Sequence, residues 1–364
     1  MIPTPKPGVL DIAVYVGGNA PTGGTDDAHK LSSNESALGP SPDAVAAFER
    51  ARAELHLYPE GSARPLREAL GEAHGLNPER IVCGNSSGEL LTMIANAYLR
   101  PGDEVLFSAH AFLLYRIVTL ANSAIPVVAP EKNLRVDVDA MLKCVGPRTR
   151  LVYLANPNNP TGSYLTSEEV RRLHAGLPTS TLLVIDAAYA EYVRRNDYDA
   201  GIEMVSQFEN VVMTRTFSKI YGLAGLRVGW AFCPASVADV LNRVRGPFNV
   251  SVPAQAAAIA ALRDKKHVES VFVHNDNWKT WLTEQIRATG LRVDDSVGNF
   301  VLIHFPEAGA HSAKAADAFL HARGLALRTV GNYGLPHCLR LTVGSEEANR
   351  RVATALADFM GRGG

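Results

Sequence analysis

The sequence predicts an α/β fold in which a large, mostly parallel sheet flanked by helices precedes a smaller α+β C-terminal domain. From about residue 80, short and nearly continuous apolar runs rich in β-branched residues recur along the chain, as in strands buried on both faces. Helical patterns separate these runs, and such alternation is typical of a parallel sheet. After about residue 247 longer helical patterns appear, followed by a few further strands.

The individual elements follow from local patterns. A helix is predicted over 167–177, because Thr166 and Glu169 form a capping-box pattern at its start. The C-terminal part adds helices near 312–323 and from Ser345 onward. The predicted strands are 80–84, 104–108, 125–130, 150–155, 181–186, 210–216, 227–232, 299–305, 325–330 and 338–344.

Composition favours a globular protein with three regions. Apolar residues make up 46% of the 364 residues, enough for a large core. The first region, residues 1–33, is rich in Pro and Gly and is predicted to be an irregular arm. A large domain over 34–246 and a small domain over 247–364 follow it.

Charge and cysteine usage exclude several classes of protein. The 36 Lys and Arg balance 37 Asp and Glu, which gives no attraction to nucleic acid or to an anionic membrane. No apolar run approaches the roughly 18 residues of a membrane helix, and we expect no export signal. The four cysteines are scattered without a Cys-x-x-Cys pattern. These features predict a cytoplasmic protein without a metal site.

Polar residues follow several predicted strands, where ligands bind in open α/β sheets. Asp186 ends a strand, and a carboxylate there is costly to bury unless it is paired. It is either a helix N-cap or the partner of a buried cation. Tyr189, three residues later, either shares that site or packs in the core. Asn159, within "NPNNPTG", either directs its amide into a site or belongs to a plain turn.

A second group surrounds the lysine of "TRTFSKIYGLAGLR", residues 214–227. A lone lysine at a strand end is usually solvated. Lys219, however, lies beside Thr216 and Ser218 and precedes Arg227, a set of neighbours that favours a binding site.

The segment "GNSSG", residues 84–88, opens a helix with small residues. Ser86 and Ser87 could leave backbone N–H groups free for an anion, or could simply cap the helix. The same five residues match the G-x-S-x-G elbow of serine hydrolases, with Ser86 as the nucleophile. No HGGG-type oxyanion loop precedes it, which argues against a hydrolase.

Taken together, the motifs resemble a known family. "NPNNPTG", "DAAYAEY" and "TRTFSKIYGLAGLR", in that order, are similar to the fold-type-I pyridoxal-phosphate (PLP) aminotransferases. "KLSSNESALGPSP", "LYPEGSARPLREAL" and "YGLPHCLRLTVGSEEANR" narrow the resemblance to the histidinol-phosphate aminotransferase family. The similarity covers nearly the whole chain. It implies a PLP-binding large domain, and an N-terminal arm packed against the small domain and a partner subunit.

The resemblance assigns catalytic roles. Lys219 matches the lysine that forms the Schiff base with PLP and moves protons at the substrate α-carbon. Its surroundings must lower a pKa that is ordinarily about 10.4. Asp186 matches the aspartate beside the pyridine nitrogen. Asn159 and Tyr189 match the pair that binds the phenolic oxygen. Phe112 matches the aromatic residue stacked on the ring, unless it is an ordinary core residue.

The resemblance also implies how the cofactor phosphate is bound. Arg227 offers a charge-assisted contact. Tyr58 resembles a tyrosine that reaches the phosphate from the neighbouring subunit, which would require a homodimer; the alternative is a surface tyrosine. The full set of implied phosphate ligands is Ser86, Ser87, Thr216, Ser218, Arg227 and Tyr58.

For the substrate, the resemblance implies that Arg340 grips the anionic end, with Arg328 and Tyr15 as further contacts and Asn159 nearby. The reaction implied is transamination between histidinol phosphate or imidazole acetol phosphate and glutamate or 2-oxoglutarate, a step of histidine biosynthesis. An aromatic amino acid aminotransferase acting on tyrosine or phenylalanine is the alternative. Departures from the family pattern bear on this choice of substrate; they are Val14, Ser36, Ala37 and Gly88.

Overall fold

A computed structural model describes residues 3–18 and 28–361 of the chain. Within them, one sheet of seven strands forms the centre of the molecule, and a sheet of four strands lies in the C-terminal part. The strands are β1 (His29–Lys30), β2 (Ile81–Gly84), β3 (Glu104–Ser108), β4 (Ile125–Ala129), β5 (Glu131–Lys132), β6 (Arg135–Val136), β7 (Thr149–Ala155), β8 (Leu182–Asp186), β9 (Val211–Thr216), β10 (Gly229–Phe232), β11 (Arg292–Val293), β12 (Phe300–His304), β13 (Leu325–Ala326), β14 (Arg328–Thr329) and β15 (Cys338–Thr342).

Helices begin where the sequence supplies caps. The capping box is present as predicted: Glu169 N donates to Thr166 Oγ1 at 3.2 Å, and Thr166 N donates to Glu169 Oε2 at 2.8 Å. The helices are α1 (Pro42–Ala51), α2 (Arg64–His74), α3 (Ser86–Tyr98), α4 (Leu114–Ala121), α5 (Val138–Lys143), α6 (Ser167–Ala175), α7 (Ile202–Gln207), α8 (Ala235–Val244), α9 (Val252–Arg263), α10 (Lys265–Ala288), α11 (Ala313–His321) and α12 (Glu346–Phe359).

The large sheet has the strand order β2-β10-β9-β8-β7-β3-β4. Strand β10 runs antiparallel to both of its neighbours, while β9, β8, β7, β3 and β4 pair in parallel. The predicted mostly parallel α/β sheet is therefore confirmed. Strand β10 is the exception: the connection from β9, residues 217–228, contains a 3-10 turn, Ala224–Leu226, but no α-helix. Parallel crossovers usually run through an α-helix.

Both faces of the large sheet are buried, which explains the continuous apolar runs. Along β8, Leu183 packs in the core cluster on one face, whereas Val184 packs in the cluster on the other. Helix α9 contributes Ala257 and Ala258 to the first cluster, and α3 contributes Leu90 to the second. No helix in residues 3–18 and 28–361 is long and apolar enough to span a membrane.

The C-terminal part forms an antiparallel sheet of order β11-β12-β15-β14, with α10, α11 and α12 sharing its core. The single strand expected over 325–330 is split. Strand β13 pairs in parallel with β1, and β14 pairs with β15. Of the predicted arm, residues 3–18 and 28–33 are described and the rest lie outside the described residues. The division into an arm and two domains stays a prediction.

Candidate active site

A cavity of about 580 Å³ lies beyond the carboxyl ends of β7, β8 and β9, beside the first turn of α3. Such an edge is where open α/β sheets bind ligands. Of the residues predicted from the sequence, Tyr58 alone does not line it. The others do, namely Tyr15, Ser86, Ser87, Phe112, Asn159, Asp186, Tyr189, Thr216, Ser218, Lys219, Arg227, Arg328 and Arg340.

Asp186 is the last residue of β8 and is buried. Tyr115 Oη donates to its Oδ2 at 2.9 Å, and Thr214 Oγ1 donates to its Oδ1 at 3.1 Å. Burial raises the pKa of Asp186 to about 6, and the two hydrogen bonds and the charge of Lys219 oppose that rise. The sequence analysis missed both donors. Thr214 is the register partner of Asp186 across β8 and β9, and it is the first residue of the segment 214–227 that the sequence analysis singled out.

Lys219 follows β9 and is partly buried. Its Nζ donates to Ser33 O at 3.1 Å and lies 5.7 Å from the centroid of the Tyr189 ring. Burial lowers the pKa of Lys219 to about 7, and the positive charges of Arg340 and Arg227 add to this. The amine therefore exchanges its proton near neutral pH, as a general base must.

Tyr189 and Asn159 are held by residues distant in the sequence. Tyr189 Oη accepts a hydrogen bond from Asn34 Nδ2 at 2.8 Å, and burial raises the pKa of this phenol to about 12. Asn159 Oδ1 accepts from Arg340 Nη1. Asn34, which also lines the cavity, was missed by the sequence analysis. It lies within "KLSSNESALGPSP", so the motif itself could have indicated it.

Hydrogen-bond donors from the end of β9 and from the loop that follows it line one corner of the cavity. Ser218 N donates to Thr216 Oγ1 at 3.1 Å. Arg227 Nη1 donates to Ser218 Oγ at 3.4 Å and to Ala224 O at 3.0 Å. Arg227 has a left-handed backbone with φ of 55°, a conformation in which few non-glycine residues are found. A guanidinium and two hydroxyls here suit an anion.

The first turn of α3 completes this corner. No side chain caps its N-terminus, although Glu89 Oε2 accepts from Asn85 N and, at 2.7 Å, from Asn249 Nδ2. The turn packs tightly on β10, since a Cβ at Gly229 would lie 2.3 Å from Ser87 N. Free N–H groups at a helix start bind anions.

Arg340 and Arg328 are register partners on β15 and β14 and are buried. Arg340 Nη2 donates to Ser32 O at 2.8 Å, and its buried Nε has no hydrogen-bond partner. Arg328 Nη2 donates to Val16 O at 2.9 Å, and its Cζ lies 6.0 Å from the ring centroid of Tyr15. Their bonds go to neutral oxygens, so both cations retain charge for an anionic ligand.

The two remaining aromatic predictions differ in position. Phe112 lines the cavity and meets Tyr115 edge-on, with ring centroids 5.9 Å apart. Tyr58 is 82% exposed and stacks on Phe248 at 4.6 Å. Within this chain Tyr58 thus lies outside the cavity. Among the departures from the family pattern, Gly88 lines the cavity and Val14 is 87% exposed.

A second cleft, of about 860 Å³, lies between residues 192–197 and α10. It contains none of the predicted site residues. Of the four arginines that line it, three are paired with carboxylates: Arg135 with Glu169, Arg194 with Glu269 and Arg287 with Asp295. The first cavity, with its uncompensated cations, is therefore the candidate active site.

Residues 26–356 match the family of class I and II aminotransferases. The chain belongs to this family. This aminotransferase is 57% identical over 361 residues to a histidinol-phosphate aminotransferase of Rhodopseudomonas palustris strain TIE-1, covering 99% of each chain. It is 56% identical over 359 residues to the protein of the same name from strain BisB18, covering 98% of each.

Solved structures agree with the family. The aminotransferase has a TM-score of 0.86 to histidinol-phosphate aminotransferase from Sinorhizobium meliloti in complex with pyridoxal-5'-phosphate, at 30% identity, covering 91% of this chain and 90% of that one. It shares the fold of Thermus thermophilus aspartate aminotransferase with maleate, with a TM-score of 0.77 at 23% identity, covering 90% of each chain. These matches confirm the resemblance read from the motifs.

The hydrolase alternative finds no support in this aminotransferase. Ser86 has a left-handed backbone with φ of 76°, as a strained elbow would. However, no histidine is found among the described residues that line the cavity. A serine nucleophile needs a neighbouring base, most often histidine, in hydrogen-bond reach.

Proposed function

We propose that the chain catalyses PLP-dependent transamination between histidinol phosphate or imidazole acetol phosphate and glutamate or 2-oxoglutarate, in histidine biosynthesis. The amino group of glutamate replaces the keto oxygen of imidazole acetol phosphate, and glutamate leaves as 2-oxoglutarate. The observation that carries the proposal is one cavity in which a lysine of lowered pKa, a buried carboxylate and two buried arginines lie together. The 57% identity to a histidinol-phosphate aminotransferase supports the choice of substrate.

The residues of the cavity fit PLP. The donors at Thr216, Ser218 and Arg227 and the uncapped start of α3 suit its phosphate. Asp186 suits a protonated pyridine nitrogen, because a buried carboxylate needs a cationic partner. Asn159 and Tyr189 are available for the phenolic oxygen, and Phe112 for the ring face. PLP, when bound, carries the amino group and acts as the electron sink of the reaction.

Lys219 performs the proton transfers. Its amine would take the proton from the α-carbon of glutamate in the first half-reaction and would give a proton to the amine-bearing carbon of histidinol phosphate in the second. A pKa of about 7 makes both the neutral and the protonated amine available. Asp186 would assist through its negative charge at the ring nitrogen, and Tyr189 through its hydroxyl at the phenolic oxygen.

Arg340 and Arg328 bind the anionic end of each substrate. Glutamate presents a carboxylate and histidinol phosphate presents a phosphate, and a planar guanidinium suits both. Because 2-oxoglutarate leaves before imidazole acetol phosphate enters, while the amino group stays on the holoenzyme, ping-pong kinetics follow. Tyr15 borders the substrate space beside Arg328.

A homodimer completes the site. Leu55 and Leu57 are 66% and 56% exposed, and they lie near Tyr58 in the sequence, which stacks on half-exposed Phe248. A cluster of exposed apolar side chains favours a protein interface. In the dimer, Tyr58 of each subunit reaches the cofactor phosphate of the other. The cytoplasm is the proposed compartment, and the four free cysteines support it.

Borohydride reduction followed by peptide mass spectrometry tests the cofactor attachment. We expect the mass of reduced PLP on the peptide that contains Lys219, and none in Lys219→Ala. Attachment at another lysine, or none, would overturn the proposed function. Parallel assays with histidinol phosphate and phenylalanine test the substrate; a higher kcat/KM for phenylalanine would make the chain an aromatic aminotransferase.

A further inference from the structure

Two hydroxyl groups behind the cavity hold the carboxylate of Asp186. Tyr115 Oη donates to one oxygen at 2.9 Å and Thr214 Oγ1 donates to the other at 3.1 Å. Both donors are fully buried. Each carboxylate oxygen thus has its own donor, and together the two bonds fix the plane of the carboxylate.

We propose that Tyr115 and Thr214 are positioning residues for transamination, which keep Asp186 ionised and correctly oriented toward the space that the cofactor would fill. This inference rests on the proposed function and assigns two further residues to it. A hydrogen bond donated to a carboxylate stabilises its charged form. Without the donors, burial would favour the neutral acid, and a neutral acid cannot act as counter-ion to a protonated ring nitrogen.

The other groups around Asp186 do not provide this stabilisation. The neighbouring ionisable groups are Lys219, Tyr115, Tyr153, Tyr189 and Tyr198. Burial raises the pKa of each tyrosine, so all four remain neutral. The charge of Lys219 changes near neutral pH and during the reaction, so its attraction to Asp186 is not constant. Only the hydrogen bonds from the hydroxyls of Tyr115 and Thr214 stay the same as pH changes near neutrality.

The ring of Tyr115 is held so that its hydroxyl points to one place. It stacks on Tyr153 with centroids 4.7 Å apart and planes 7° apart, and it meets Phe112 edge-on at 87°. Contacts on two sides leave the ring little freedom. Tyr115 therefore contacts both Phe112, which is proposed to stack on the cofactor ring, and Asp186, which is proposed to bind the ring nitrogen.

The test measures PLP affinity as a function of pH by absorbance, in a Lys219→Ala background. That background removes the titration of Lys219, and the titrations of PLP itself are the same in every variant. The affinity falls in acid as Asp186 takes up a proton. In Tyr115→Phe and in Thr214→Val, we expect the midpoint of this fall to lie about one pH unit higher. Each variant loses one hydrogen bond to the charged carboxylate, and such a loss raises the pKa of the carboxyl by about that amount. The double variant shifts further.

Tyr153→Phe is the matched control. Tyr153 is equally buried and belongs to the same stack, but its hydroxyl donates to Leu91 O at 2.9 Å. We expect its midpoint to equal that of the starting protein. Equal midpoints in all variants, or an equal shift in Tyr153→Phe, would overturn the inference. If Tyr115→Phe does not fold, Thr214→Val alone decides it. Absence of PLP binding in the starting protein at any pH would instead overturn the proposed function.

Discussion

At the scale of single residues, two ionisable side chains that line the cavity have pKa values shifted toward each other. Burial raises the pKa of Asp186 to about 6 and lowers that of Lys219 to about 7. Such shifts concentrate at catalytic sites, because acid and base chemistry near neutral pH requires them. They also carry a cost in stability, since a buried ionised carboxylate disfavours folding.

We expect Asp186→Asn to stabilise the cofactor-free protein at pH 8 while abolishing transamination. Because the folded-state pKa of Asp186 is raised from 3.8 to about 6, ionisation destabilises the fold. This penalty is complete above pH 6, declines as pH falls, and is absent below pH 3.8. Urea unfolding at several pH values measures it. Asp358→Asn, at an exposed position, is the control; an Asp186→Asn protein less stable than wild type at pH 8 would contradict the expectation.

The two arginines permit a separate prediction. Arg340→Lys and Arg328→Lys keep the charge but lose the planar fork of donors. Loss of a charge-assisted hydrogen bond costs about 1.5–3 kcal/mol, so KM should rise about 10- to 100-fold. Steady-state kinetics with glutamate and with histidinol phosphate measure the effect on each anion. Arg323→Lys, a change at an exposed arginine outside the cavity, is the control. An unchanged KM for both substrates would remove the arginines from the substrate site.

At the scale of elements, the anion corner depends on how closely α3 approaches β10. We expect Gly229→Ala to weaken PLP binding at least tenfold, because the new Cβ would lie 2.3 Å from Ser87 N and would push the helix start away. Overpacking of this kind costs about 1–3 kcal/mol, so Tm should fall as well. Titration of the apoprotein with PLP measures the affinity. Gly225→Ala, where a Cβ meets nothing within 4 Å, should behave as wild type.

At the scale of the whole molecule, the proposed dimer predicts complementation between two inactive variants. Mixing Lys219→Ala with Tyr58→Ala and allowing subunits to exchange should restore activity, because one site in each mixed dimer has both residues intact. A mixture of Lys219→Ala and Asp186→Asn should stay inactive, since these two residues line the same cavity of one subunit. No recovery in the first mixture, with exchange verified by mass, would show that Tyr58 does not act across subunits.

Some parts of the architecture followed from local sequence and others did not. The strands of the large sheet were predictable, because burial on both faces requires continuous apolar runs such as that of β8. The split of 325–330 into β13 and β14 was not. Its two halves pair with different partners, β1 and β15, and the local pattern is the same whether a strand has one partner or two.

By itself, the sequence determined the fold class, the family and the set of chemical groups, because strand periodicity and the Lys219 and Asn159 motifs are local features. Only the tertiary structure decided which residues support that set. Tyr115 reaches Asp186 across 71 positions, and Asn34 reaches Tyr189 across 155. The shifted pKa values of Asp186 and Lys219 likewise arise from burial. Contacts and burial depend on how distant segments pack, and no local spacing encodes them.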